Sequence, residues 1–134
     1  IHIVAPDEVL LVPMDPILIT QVLNNLFENA YRHGGGSRTQ IEVEMSSKDG
    51  MALFSVTDNG PGIPAGRLPH LFDAQYTPSK KREASFRGLG IGLSLCKAIV
   101  EAHGGWIEAY NMPKGGARFL FGLPLTTAKE EADG

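Results

Sequence analysis

The hydrophobic rhythm of the chain changes several times, and each change marks an element. A short apolar run over residues 9–12 suits a strand. Asp15 followed by Pro16 reads as a helix start, a side-chain acceptor ahead of a proline that has no N–H to leave unpaired. Leu18, Val22, Leu26 and Ala30, joined by Ile19, Leu23 and Phe27, recur at helical spacing to about His33, where Gly34, Gly35 and Gly36 end the helix. Ile41, Val43 and Met45 then alternate with Glu42 and Glu44, and Asp49-Gly50 turns the chain into a second apolar run at 53–56, a hairpin pattern. Residues 60–87 keep no period and are punctuated by Pro61, Gly62, Pro64, Gly66, Pro69 and Pro78, so a long loop is expected there. Leu93, Cys96, Ile99, Val100 and His103 share a helical face closed by Gly104-Gly105. A second hairpin follows, strands at 106–110 and 117–123 around 113–116, with Phe119, Phe121 and Leu123 on one face. The pattern predicts an α+β fold, a two-layer sandwich with helices on one face of a mixed, mostly antiparallel sheet.

At 134 residues the chain is sized for one domain, expected over 1–125 with a polar, acidic tail at 126–134. No apolar run reaches the ~20 residues of a membrane-spanning helix, so no membrane contact is expected from this part. Twelve basic against fifteen acidic residues leave a net charge of -3, which excludes nucleic-acid binding by whole-molecule charge. Any anion must be held locally. The single cysteine, Cys96, can form neither an internal disulfide nor a cysteine-cluster metal site. The first residue is Ile1, with neither an initiator methionine nor a signal-peptide pattern, and the chain is expected to be an excerpt of a longer protein.

Three local patterns carry candidate chemistry, each beside a plainer reading. Asn25, Asn29 and Arg32 lie at i, i+4 and i+7 of the first helix, so they share a face, with His33 beside them. A carboxamide oxygen suits Mg²⁺, which keeps several waters and takes phosphate oxygens, and an arginine can meet phosphate directly. Taken alone, the stripe reads more readily as the solvated face of the helix. Asp58-Asn59-Gly60-Pro61-Gly62 follows an apolar strand. A carboxylate there can accept a hydrogen bond from an exocyclic amine such as adenine N6, while glycines let a flat base approach the backbone. Guanine presents a carbonyl instead, a mismatch costing about 1–3 kcal/mol. An Asx turn explains the same residues equally well. Gly88-Leu89-Gly90-Ile91-Gly92-Leu93 opens the last helix, where bare N–H groups and the helix dipole can cradle a polyphosphate. A flexible hinge is the alternative, and the segment is neither a P-loop nor a dinucleotide fingerprint.

In combination, an Asn-bearing helix, D-x-G-x-G after a strand, a long lid and G-x-G-x-G before a second helix resemble the Bergerat-fold ATP-binding family of gyrase, Hsp90, MutL and histidine kinases, over roughly residues 9–124. The resemblance implies that Asn29 holds Mg²⁺, Asp58 binds the adenine amine, Gly60 and Gly62 shape the base pocket with Ile63 as its apolar wall, and Arg32 reaches the phosphates with His33 near the nucleotide. Gly88, Gly90 and Gly92, with Leu89, Ile91 and Leu93 between and after them, form the implied phosphate loop. ATP-hydrolysing members carry a glutamate four residues before the metal-binding asparagine as general base. Here that position is Asn25, a neutral carboxamide that takes no proton at ordinary pH, whereas a histidine nucleophile needs no such base. Asn25 therefore favours the histidine-kinase branch, with Asn25, Glu28 and Arg32 as the expected catalytic set. The segments 12–16, 19–30 and 111–119 resemble the Kdp-type potassium-sensor kinases in particular. The lid, expected at about 64–87, has Gln75 where a second aromatic is usual, with Tyr76 beside it as the candidate nucleotide contact, and Lys80, Lys81, Arg82 or Arg87 are candidates for phosphate contact, or simply a solvated basic stretch.

None of His2, His33, His70 and His103 sits in the His-Glu/Asp context of a phosphoacceptor. The resemblance thus implies an acceptor histidine on a separate domain, a response regulator met through the full-length protein, and a cytoplasmic position in an inner-membrane-attached sensor kinase. Two rivals stay open: an ATP-hydrolysing clamp, and an interaction module that keeps the fold without the nucleotide.

Overall fold

The structure is a computed structural model and describes residues 2–4, 11–33, 39–73 and 90–125. In chain order these form β1 (His2–Val4), α1 (Pro16–His33), β2 (Ile41–Lys48), β3 (Met51–Asp58), a 3-10 turn (Leu68–His70), α2 (Gly90–Ala102), β4 (Trp106–Asn111) and β5 (Ala117–Pro124). The strands make one sheet in the order β1-β2-β3-β5-β4, with β1 parallel to β2 and every other pair antiparallel. Both hairpins form. Asp49 and Gly50 turn the first with positive φ at each residue, the pattern that matches the right-handed twist of the paired strands.

Asp15 caps α1, its Oδ1 accepting from the N–H groups of Ile17 at 3.0 Å and Leu18 at 3.2 Å. Ile19, Val22, Leu26 and Ala30 are the buried stripe, packed with Leu93, Cys96, Ile99 and Val100 of α2 against Ile41, Val43, Val56, Phe119, Phe121 and Leu123 of the sheet. Phe54 stacks on Phe121 with ring centroids 4.9 Å apart. The helices thus cover one face of the sheet, as the alternation in β5 predicts, and the opposite face presents Glu42, Glu44 and Glu108 to solvent. His103, just beyond α2, ties the two helices together. Its Nε2 accepts from the Asp15 N–H at 3.0 Å, which leaves Nδ1 as the protonated nitrogen donating to the Ile99 carbonyl at 2.8 Å.

The structure corrects the expected strand at 9–12. Leu11 and Val12 are not in a strand, residues 9 and 10 lie outside the described residues, and the strand beside β2 at that edge of the sheet is β1. Pro13 and Pro16 carry no N–H for a ladder, and Val12 and Met14 instead pack on the core ahead of α1. Leu18 is 37% exposed rather than core, because the buried stripe runs one residue later, through Ile19. The glycines at 34–36 lie outside the described residues. Of the expected lid, residues 64–73 are described: most are exposed, but the 3-10 turn leads into Leu71 and Phe72, which rest on the core, Phe72 edge-on to Phe119 at 6.1 Å. Residues 74–87 lie outside the described residues.

Candidate functional site

β3 ends by delivering Asp58 to the floor of a cavity. The residue is 9% exposed, and its Oδ1 accepts from the N–H groups of Gly60 at 2.8 Å and Ala117 at 3.3 Å. Its Oδ2 takes no hydrogen bond among the described residues, so the carboxylate keeps one acceptor for a visitor. The cavity encloses about 400 Å³ including its mouth. Asn29 of α1, Asp58 and Arg67 supply its polar lining, and Ile63, Leu71, Ala117 and Phe119 its apolar lining. Asn29 and Asp58, 29 residues apart in the chain and on different layers, therefore face the same space. An apolar slot with a buried carboxylate at its end is complementary to a flat ring carrying an amino group.

Glycine is required twice here. Gly62 has φ +90, and a Cβ on it would lie 2.8 Å from Asn111 Oδ1. Gly116 has φ +89, and a Cβ there would collide with the Asp58 carbonyl oxygen. The turn before β5 thus lies directly beneath the D-x-G-x-G segment. Asn111 reaches up from the end of β4: its Oδ1 accepts from the Ile63 N–H at 2.7 Å and its Nδ2 donates to the Ile63 carbonyl at 3.0 Å.

At the other end, α2 begins at Gly90, so its first-turn N–H groups have no partners within the helix. Leu93 is buried in the core at 4% exposure, and only its backbone can face an anion. Asn25 turns toward α2, its Nδ2 donating to the Gly92 carbonyl at 3.4 Å. Cys96 lies beside it with its thiol near the Val22 carbonyl. Burial pushes that thiol up to about 11, opposed by the hydrogen bond from Asn25. Glu28 is on the exposed face of α1. Arg32 and His33 complete α1, but their side chains, like that of Ile91, are outside what is described. Tyr76, Lys80, Arg87, Gly88 and Leu89 lie outside the described residues altogether. No group of three or more His, Cys, Asp or Glu side chains gathers among the described residues. A lone carboxamide at Asn29 fits a metal carried mainly by phosphate oxygens and water, as Mg²⁺ is, and not an independent metal centre.

Sequence reasoning missed Arg67, Leu71, Asn111, Gly116, Ala117 and Phe119 as parts of the site. Arg67 is the most pointed omission, since its Nε is buried without a hydrogen-bond partner. Its place in a stretch without periodicity gave no cue. For the hairpin residues the available signal was Asn111 at a strand end followed by Gly115-Gly116, more glycine than a simple turn needs.

The family profile described as "Histidine kinase-, DNA gyrase B-, and HSP90-like ATPase" matches residues 14–127. Among curated relatives, "Sensor protein KdpD" of Clostridium acetobutylicum is 45% identical over 125 residues, 92% of this chain. The protein of the same name from Escherichia coli is 38% identical over 130 residues, 97% of this chain. The chain spans 14% of the length of each of these relatives. A solved catalytic domain of the histidine kinase ThkA, free of nucleotide, superposes with a TM-score of 0.77 at 31% identity, covering 92% of this chain and 76% of that one.

Proposed function

We propose, since the chain belongs to the histidine kinase-, DNA gyrase B- and HSP90-like ATPase family, that it binds ATP with Mg²⁺ and donates the γ-phosphoryl to a histidine on a separate phosphoacceptor domain. The observation that carries this reading is the cavity shared by Asn29, Asp58, Gly62 and Ile63. Adenine enters the apolar slot against Ile63 and donates a hydrogen bond from its amino group to Asp58 Oδ2. The triphosphate extends past Asn29 toward the first turn of α2, where unpaired N–H groups and the helix dipole favour negative charge. Asn29 would hold Mg²⁺, which when bound neutralises charge on the phosphates. Arg32, three residues after Asn29 in the sequence, is the cation proposed to meet the phosphates.

Transfer breaks the bond from γ-phosphorus to the β,γ-bridging oxygen and forms a bond to an imidazole nitrogen, so positioning and charge matter more than a base. Asn25 supports this choice over hydrolysis, since its carboxamide is hydrogen-bonded to α2 and takes no proton from water. The relatives named "Sensor protein KdpD", taken with the Kdp-type resemblance of residues 12–16, 19–30 and 111–119, support a parent protein in potassium-related two-component signalling, attached to a membrane and coupled to a response regulator. No helix among the described residues is long and apolar enough to cross a membrane.

The test mixes the chain with γ-labelled ATP, Mg²⁺ and a separately prepared acceptor domain from a Kdp-type kinase. Acid-labile, base-stable phosphate on the acceptor is expected. Steady phosphate release without acceptor, and no labelled acceptor, would instead support an ATP-hydrolysing clamp.

A further inference from the structure

The geometry points to Asn111 as a positioning residue for the base pocket, a role that rests on the nucleotide-binding reading above. An asparagine at the exposed end of β4 has no burial to justify it. Its carboxamide instead meets both the N–H and the C=O of Ile63, at 2.7 and 3.0 Å, closing a two-bond ring across 48 residues of sequence. The orientation is unambiguous, because the oxygen faces a donor and the nitrogen faces an acceptor.

The pair acts as one rung of sheet ladder made by a side chain. It fixes Ile63 and also Gly62, whose missing Cβ leaves the space that Asn111 Oδ1 occupies. The hairpin that carries Asn111 also reaches Asp58, by the Ala117 N–H and by Gly116 packed against the Asp58 carbonyl. One rigid β4–β5 unit therefore holds both the acceptor at the end of the slot and the wall along its side. Pro64 next to Ile63 has no N–H to help, so losing the clamp frees the wall that holds the base edge against the Asp58 carboxylate, and the adenine-selective hydrogen bond is made less often. No near-isostere replaces it. Aspartate sets a carboxylate against the Ile63 carbonyl, and leucine leaves both peptide groups without partners.

Asn111→Asp and Asn111→Leu are compared with the unaltered chain in calorimetric titrations with Mg-ATP and Mg-GTP, alongside amide hydrogen exchange at Ile63 and thermal melting without nucleotide. Both variants should bind ATP about tenfold more weakly and show a narrowed preference for ATP over GTP. The Ile63 amide should exchange faster, while exchange in α1 and α2 stays as in the unaltered chain. Faster exchange throughout the helices with equal loss for both nucleotides assigns Asn111 to general stability and overturns the proposal. Equal ATP affinity in variant and unaltered chains overturns the Asn111 role alone. Absence of ATP binding by the unaltered chain, with Ile63 protected, overturns the nucleotide reading and Asn111's place in it together.

Discussion

Asp58 divides its two oxygens between the fold and the cavity, which makes one conservative substitution informative. In Asp58→Asn the oxygen must remain against the Gly60 and Ala117 N–H groups, so the new NH₂ points into the slot and meets the adenine amine donor to donor. ATP affinity should fall by about ten- to a hundredfold, and the preference for ATP over GTP should shrink, because guanine offers a carbonyl at that position. Competitive titration with the two nucleotides checks both effects. Cys96 makes a different prediction. Its thiol, raised by burial to about 11 from an ordinary 9.0, stays protonated in the folded chain where the unfolded chain has begun to ionise. Its contribution is intact below pH 9 and is lost as pH rises toward 11, since the unfolded state releases the proton first. Urea melts at pH 8, 9 and 10 should show a falling midpoint, and Cys96→Ala should flatten that part of the fall. At pH 8, iodoacetamide should label the folded chain far more slowly than the denatured one.

Helix α1 was legible because its signals are local. Asp15 and Pro16 mark the start, and three- and four-residue spacing marks the buried stripe. The cap should contribute about 0.5–2 kcal/mol, read as a lowered urea midpoint in Asp15→Ala. The error at Leu18 arose because the first turn carries Ile17, Leu18 and Ile19 in succession, and only packing against α2 and the sheet selects Ile19. Asn25 was legible as a departure from the hydrolytic pattern but not as a tie between helices. Its bond to the Gly92 carbonyl holds the first turn of α2 against α1. Asn25→Ala should therefore lower stability by about 1 kcal/mol and weaken ATP more than AMP, a split that titration of both nucleotides would reveal. β1 was not legible at all. Three residues show no period, and their pairing depends on β2, some forty residues later in the chain.

Across the whole molecule, the sequence pattern conveyed the layers, the two hairpins and the ordered motifs, because each is written in neighbouring residues. It did not convey how the motifs meet. The Asn111–Ile63 clamp and the seat of Gly116 under Asp58 exist only once β5 pairs between β3 and β4. Asn29 and Asp58 could be named separately, yet only the stacking of α1 on the sheet makes them neighbours across a single slot. The most direct measurement is a calorimetric titration of Mg-ATP into the unaltered chain and into Asp58→Ala, with thermal melts confirming that both are folded. Saturable heat from the unaltered chain that disappears in the variant is the predicted result. Identical heats from two folded proteins, or none from the unaltered one, would contradict a nucleotide seated on that carboxylate.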